Sequence, residues 1–548
     1  MVPFASCFGV VPEWKLYKIA LARAAQLETH GRGFVGNATD EHREAGQSDF
    51  GTRAGLHRIG PTMSRHAAYP IARPHVVLAT VQQVDQPRLR PSLPQNKSIL
   101  AVFPQSIAGG RLEKIMTTIT KPVLISGAGV IGLTLAHGLK KANIPFQIFE
   151  RDEHIDARGH GWAITIHWAL PFLAQLLDDD TMEALEGVQV DPEVGRQDNG
   201  NFLFLNLETL ESKFRIPPNK RRRVNREKLR KALLSGVEDH VQWGKRLSSV
   251  QVLDGDGDWD GDVVDGGAAA GGLVRVTFSD GSTADGSMLV GAEGTNSPTR
   301  KFLVPDGYRT HQLPVRLIGV AVDMTPEQVR PLRDIDPLLF QGCHPVTGHF
   351  LWVSMMETPE VNGTKGTEQE RYLVQIIISW MLKSGDDSNS NDKQDQGETP
   401  TTRAGPVAEM KRRAREFHPL LRHAVDSIPE TAPVLEMPLQ DWPCLEWDNR
   451  QGRVTLIGDA AHAMTMYRGE AANHGMLDAH NLVRQLTKVH AGERTLDAAT
   501  DDYEHEMRDR TGGEHGAVML SRQACLDAHD FHALNENSAV LRRRAIKG

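Results

Sequence analysis

Hydrophobic and polar positions fall into a regular pattern only from about residue 117 onward. Lys121–Ser126 is a short apolar run closed by Gly127, which predicts a strand buried on both faces. Leu133–Ala142 has helical spacing and stops at Asn143, a residue able to take the left-handed conformation that ends helices. Phe146–Phe149 predicts a second strand. Farther on, the stretches 315–324, 348–357 and 371–380 are rich in β-branched and aromatic residues and predict strands of a second sheet, built mainly from 311–383 and 430–447. Val454–Ile457 predicts another buried strand, and helices follow it.

Residues 1–115 differ. Pro, Gly, Ser and His interrupt them throughout, and only 14–27 has helical spacing. They carry a net charge of +6 against −14 for the rest of the chain. This predicts a disordered extension or an over-extended gene model ending near Met116. A mitochondrial transit peptide is the alternative, against which Glu13 and Glu28 interrupt the stretch where a targeting helix would lie. Residues 254–272 and 384–406 are polar and unpatterned and read as insertions. The first lacks the twelfth-position Glu of an EF-hand.

Composition narrows the classes. With 548 residues, 40% hydrophobic and 24% charged, the chain is ordinary globular protein of more than one unit. The net charge of −8 argues against a nucleic-acid binder. No apolar run reaches the length of a membrane span. Four widely separated cysteines form neither a zinc ribbon nor a redox pair, and a reduced, cytoplasmic setting fits them.

Gly127-Ala128-Gly129-Val130-Ile131-Gly132 follows the first strand and opens the helix. Gly127 allows the tight turn, Gly129 lets a pyrophosphate approach the backbone, and Gly132 lets helix and strand pack closely. The helix N-terminus favours the phosphates. Glu150 ends the second strand 18 residues after Gly132, where a carboxylate can grip ribose hydroxyls. Its charge would repel a 2′-phosphate, so the dinucleotide is FAD or NAD rather than NADP.

The motifs downstream decide between them. Gly458-Asp459-Ala460-Ala461-His462 follows the strand at 454–457, then a loop through Met466 and Ala471 leads into a helix containing Asp478. Leu289–Arg300 contains Glu293-Gly294, Arg226-Glu227-Lys228-Leu229 is followed by Leu233, and Arg158–Ala163 is a glycine-containing loop. Together these resemble the group A FAD-dependent monooxygenases, which include the salicylate and p-hydroxybenzoate hydroxylases. The Gly-Asp stretch is most similar to the tailoring enzymes of fungal polyketide pathways. The resemblance covers about 117–535 and implies an α/β fold: a Rossmann-type FAD-binding domain, an inserted mixed β-sheet substrate domain, and C-terminal helices. It divides the chain into 117–310 and 448–548 for FAD and 311–447 for substrate. The C-terminal helices, with Arg522, Cys525, Asp527 and His529, are expected to cover the FAD domain, and Cys525 to be a buried packing residue.

The resemblance further implies that Asp459 bonds the ribityl chain and that the helix N-terminus at Ala472 faces the flavin N1–C2=O edge. It places Arg226 and Ala163 at FAD, and Glu293 and Gly294 near both FAD and the nicotinamide. Glu293 stands for the family's usual aspartate, Met466 for a common proline and Ala471 for a frequent glycine. If position 471 needs positive φ, alanine is strained there. The family chemistry reduces FAD with NAD(P)H as co-substrate, adds O2 to give a C4a-hydroperoxyflavin, and hydroxylates an aromatic or polyketide-like small molecule in secondary metabolism. No catalytic base is assigned and no metal site is expected. His349, Trp352, Met355 and Trp380 are candidates for the pocket lining. The basic run Lys220–Arg223 reads as a solvated face, or as an attractor of nicotinamide cofactor phosphates. The alternatives left open are a flavin-dependent epoxidase or dehydrogenase, and a non-catalytic FAD-binding protein. A halogenase is disfavoured because its WxWxIP-type motif is absent.

Overall fold

The computed structural model describes residues 119–157, 161–198, 200–216, 220–253, 272–382 and 405–544. The expectations for 1–115, and nearly all of those for 254–272 and 384–406, lie outside the described residues.

β1 (Val123–Ser126) is buried along its whole length, as its VLIS run requires, and turns through Gly127 into α1 (Val130–Lys141). α1 ends at Ala142, and Asn143 takes φ 55°, the left-handed conformation expected there. β2 (Phe146–Phe149) lies parallel to β1. The chain next forms β3 (Ala163–Ile166), which pairs antiparallel with β4 (Arg222–Asn225). α2 (Arg226–Leu234) starts directly after β4, because the Asn225 side chain accepts the amides of Glu227 and Lys228. β5 (Met288–Gly291) and β6 (Val454–Leu456) return to the first sheet. Its order is β6–β5–β1–β2 with Val241–Gln242 at the edge, and every pairing is parallel. α3 (Ala471–His490) lies against α1. A Cβ at Gly475 would stand 2.8 Å from Ile131, and one at Gly138 would stand 2.7 Å from Val483. The two helices therefore cross with little side chain between them, which brings the start of α3 beside the glycine turn.

The second sheet has seven strands, in the order Val434–Asp441, His311–Met324, Tyr372–Met381, Phe350–Glu357, Leu339–Cys343, Phe202–Asn206 and Ser212–Ile216. It is antiparallel except where Leu339–Cys343 runs parallel to Phe202–Asn206. The three strands expected at 315–324, 348–357 and 371–380 are present. The two strands from 202–216 are additional: they pair with each other as a hairpin, and Phe202–Asn206 joins the rest of the sheet only through Leu339–Cys343, more than 130 positions away, so no local signal assigns it to this sheet.

Each sheet has its own core, one around β1, β5 and α3 and one around the seven strands. α4 (Ala517–Asp527) corrects an expectation: its Ala524 and Cys525, with Ala528, belong to the second core rather than covering the first. Arg522, midway along α4, pairs with Asp441 at 2.5 Å, and His529, just past its C-terminal end, bonds Ser379 at 2.9 Å, so polar contacts hold α4 to the seven-stranded sheet. Cys525 is fully buried. The architecture is α/β, with a Rossmann-type sheet, an inserted mixed sheet and C-terminal helices. Among the described residues no helix is long and apolar enough to cross a membrane.

Candidate functional site

The glycine turn is built as its sequence demands. Gly127 has φ 110°, and a Cβ there would lie 2.6 Å from the Ala292 carbonyl oxygen. A Cβ on Gly132 would lie 2.0 Å from the Gly127 carbonyl oxygen, so the third glycine closes the turn onto the helix. A Cβ on Gly129, by contrast, would meet nothing within 4 Å beyond its chain neighbours. The protein leaves that side of the turn open, as close approach of a pyrophosphate requires.

Glu150 is buried at the end of β2, and its carboxylate accepts the Ala128 amide at 2.8 Å and the Asp152 amide at 3.1 Å. The fully buried Arg230 completes this corner. It donates to the Ala128 carbonyl at 2.8 Å and stands 3.5 Å from both Glu150 and Asp152. Arg230 carries no motif signal and was not foreseen. The only sequence hint is its place on α2, four residues after Arg226, on the buried side with Leu229 and Leu233.

The second cluster joins three segments. Glu293 turns its carboxylate into its own loop, where Ser297 and Thr299 donate hydroxyls at 2.6 and 2.5 Å. Burial holds its carboxyl above the usual range against those bonds. Gly294 has φ 79°, which asks for glycine although the space around it is open. Arg300 is the connector: it donates to the carbonyls of Thr295, Tyr308, Asp459 and Ala460, fastening this loop to the Gly458-Asp459 turn. Asp459 is half-buried, and among the described residues no donor takes up its carboxylate. Burial raises its carboxyl, while His462, Arg226 and Arg300 pull the other way. Arg226 itself donates to Glu227 at 2.8 Å.

The start of α3 forms the third part. No side chain caps its first-turn amides at Ala471 and Ala472. Ala471 is an ordinary first helical residue outside the positive-φ set, so alanine is unstrained there. Asn473 pins this turn to β3, accepting the His167 amide at 2.9 Å and donating to the Thr165 carbonyl at 2.9 Å. Ala163 opens β3 opposite Asn225, and residues 158–160 of the preceding loop lie outside the described residues.

Beside α3 lies a cavity lined by Thr165, His167, Phe202, Trp352, Tyr467 and Arg468, among others. Of the four residues proposed as lining, Trp352 faces it. His349 bonds Arg413, Trp380 stacks under the same guanidinium at 3.6 Å, and Met355 is core. The basic run also needs correction: Arg221 and Arg223 are only 6% and 4% exposed. Alternate residues of an extended strand point the same way, which turns both inward while Arg222 pairs with Glu186 nearer the surface.

An open pyrophosphate cradle, an acceptor without a donor at Asp459 and an uncapped helix N-terminus all fit FAD. Fold and site define an FAD-binding α/β oxidoreductase. Residues 265–512 match the family model described as FAD binding domain. The FAD-dependent monooxygenase dbaB of Emericella nidulans is 45% identical over 372 residues, covering 68% of this chain and 88% of the relative. The FAD-dependent monooxygenase cctM of Talaromyces islandicus is 31% identical, covering 77% and 96%. The chain belongs to the FAD-dependent monooxygenases. Two solved structures share its fold. The 2,6-dihydroxypyridine-3-hydroxylase of Arthrobacter nicotinovorans has a TM-score of 0.58 at 16% identity, covering 79% of this chain and 99% of that one. The Klebsiella pneumoniae HpxO complexed with FAD and uric acid has a TM-score of 0.54 at 18% identity, covering 76% and 91%.

Proposed function

We propose that this monooxygenase uses NADH or NADPH and O2 to hydroxylate an aromatic or polyketide-like small molecule in secondary metabolism. The observation that carries the reading is one continuous run of chain. Tyr467 and Arg468 line the cavity, and three residues after Arg468 the uncapped α3 N-terminus begins, so a flavin at that terminus would border the cavity. In this reading the segments 117–310 and 448–548 hold FAD, and Leu339 and Trp352 of 311–447 join residues of both those segments in the cavity wall.

Each part of the chain has a task. The open face at Gly129 and the α1 N-terminus take the pyrophosphate, and Glu150 the adenosine ribose. Asp459 accepts the ribityl hydroxyls, with Arg226 close enough to bias its charge. The amides at Ala471 and Ala472 stabilise negative charge on the flavin's N1–C2=O edge. Glu293, saturated by Ser297 and Thr299, shapes the loop rather than touching ligand. Held by these residues, FAD would supply the redox chemistry, acceptance of a hydride from NAD(P)H and activation of O2 for transfer to an electron-rich ring. The aromatic wall of Phe202, Trp352 and Tyr467 orients that ring and excludes water. The hydroxylated pyridine in the name of the Arthrobacter relative supports a hydroxylated aromatic substrate.

The test is the visible spectrum of purified protein, followed by anaerobic addition of NADPH or NADH and then by O2 with an aromatic panel. Flavin bands bleached by a nicotinamide, and a product heavier by one oxygen atom, support the reading. Reduction that yields a product lacking two hydrogens and carrying no added oxygen replaces it with a dehydrogenase. A colourless protein that FAD cannot reconstitute sinks it.

A further inference from the structure

A second cleft, of about 330 Å³, lies at the end of the seven-stranded sheet where the strand Phe350–Glu357 leaves and Tyr372–Met381 enters. The helix Pro192–Gln197, the end of the helix Pro326–Arg333 and the turn that starts at Thr358 bound it. It shares no lining residue with the cavity beside α3. A space of this size holds a small molecule.

Its floor is set by an ion pair. Asp191 is buried, and it accepts the Val194 amide at 3.0 Å with one oxygen and Arg333 at 2.8 Å with the other. The same guanidinium lies 5.2 Å from the centre of the Tyr372 ring. Thr358 is 2% exposed, and its hydroxyl makes no hydrogen bond. The Glu360 carboxylate stands near enough to feel that hydroxyl, but it is bonded by Lys365, which holds it ionised. A buried hydroxyl without a partner is uncommon, and this one lines an open cleft.

The charges around it do not balance. Glu193 is exposed at the rim, and among the described residues no cation pairs with it. Asp191, Glu193 and Glu360 are therefore answered only by Arg333 and Lys365. Tyr372 feels the excess: burial raises its hydroxyl, and Glu360, Glu370 and Asp191 push the same way against Arg333. The cleft favours a cation. Among the described residues no group of three His, Cys, Asp or Glu side chains could hold a metal ion, and the space is far larger than an ion. An ammonium on a short carbon chain fits better, because its N–H groups make charge-assisted bonds to carboxylates while the chain fills the cleft.

We propose that this cleft binds a small aliphatic ammonium ion carrying a hydroxyl group, at a site separate from the flavin and its substrate. Glu193 and Glu360 accept from the ammonium, and Thr358 and Tyr372 meet the hydroxyl. Asp191 stays with Arg333 and holds the floor in place.

The test is calorimetric titration of the FAD-loaded full chain at low ionic strength, where rim charges are least screened. 4-Aminobutan-1-ol is compared with butane-1,4-diol and 4-hydroxybutanoate, which keep the hydroxyl and replace the ammonium by a neutral or a negative group. The amine should saturate one site per chain and bind at least tenfold tighter than either. Glu193→Gln should weaken it at least fivefold. Thr358→Val keeps the shape and removes a hydroxyl that has no partner, so the variant should melt no lower than the parent while binding the amine at least threefold more weakly. No saturable binding of the amine, a diol that binds as tightly, or either variant binding the amine like the parent would overturn the proposal. Displacement of the amine by an equal concentration of calcium or magnesium chloride would also overturn it, in favour of a metal site. The flavin bands of the same samples are read independently, so the proposed function stands or falls apart from this result.

Discussion

Asp478 and His462, sixteen residues apart, are both fully buried and meet at 2.6 Å. The carboxylate oxygen that meets the His462 ring also accepts the Gly458 amide, and the other oxygen accepts from Arg510 at 2.5 Å. Burial pushes the Asp478 carboxyl up, but the His462 ring and the Arg510 guanidinium outweigh it and hold it ionised. The aspartate thus sets the turn on which Asp459 sits.

Asp478→Asn leaves the Arg510 guanidinium short of its buried counter-charge. The expected cost is about 3–5 kcal/mol, the usual result of breaking a buried ion pair from one side. Denaturant titration checks it, and a loss below about 1 kcal/mol would show that the network does not hold the turn.

The glycines of the dinucleotide turn should separate binding from folding. Gly129 has φ −77° and open space around it, so Gly129→Ala should melt like the parent while FAD affinity falls at least tenfold. Gly132→Ala drives a methyl into the Gly127 carbonyl and should lower the melting temperature even without FAD. Equal FAD affinity in Gly129→Ala and parent would remove the pyrophosphate from this turn.

Arg300→Lys keeps the charge but cannot span the four carbonyls that join the Glu293 loop to Asp459. The FAD dissociation constant should rise by tenfold or more, measured by equilibrium ultrafiltration of the flavin. An unchanged constant would mean that the two segments are positioned without this bridge.

His529 is buried between the Cys525 carbonyl and the Ser379 hydroxyl, and burial lowers its pKa to about 4. The unfolded chain takes up the proton near pH 6.5, before the folded one does. Its contribution is therefore full above pH 6.5 and is lost as pH falls toward 4, with a slope of about 1.4 kcal/mol per unit. His529→Gln should flatten the fall of stability between pH 6.5 and 4. Parallel pH profiles for parent and variant would refute the assignment.

The local parts of the site were legible in the sequence. Gly127, Gly129, Gly132, the turn at Asn143 and the buried strands each follow from spacing within a dozen residues. What escaped was long-range. Arg300 binds backbone carbonyls, and such bonds leave no complementary charge to find in the sequence, while the carboxylates beside Arg230, Glu150 and Asp152, lie about eighty positions upstream of it. Arg221 and Arg223 looked solvated because four basic residues in a row usually are. Only the pairing of β4 with β3 shows which of them face inward. The Phe202–Asn206 strand was missed for the same reason, since its neighbour in the sheet is settled by topology.

The interleaving of the two sheets also fixes an order of manufacture. Every strand of the seven-stranded sheet has been synthesised once the chain reaches Asp441, whereas β6 begins at Val454 and α3 at Ala471. On the ribosome the seven-stranded sheet can close first, while β5 waits with an open edge for its last neighbour. The crevice beside β6, and the cavity that Tyr467, Arg468 and Arg544 complete, come into being only then.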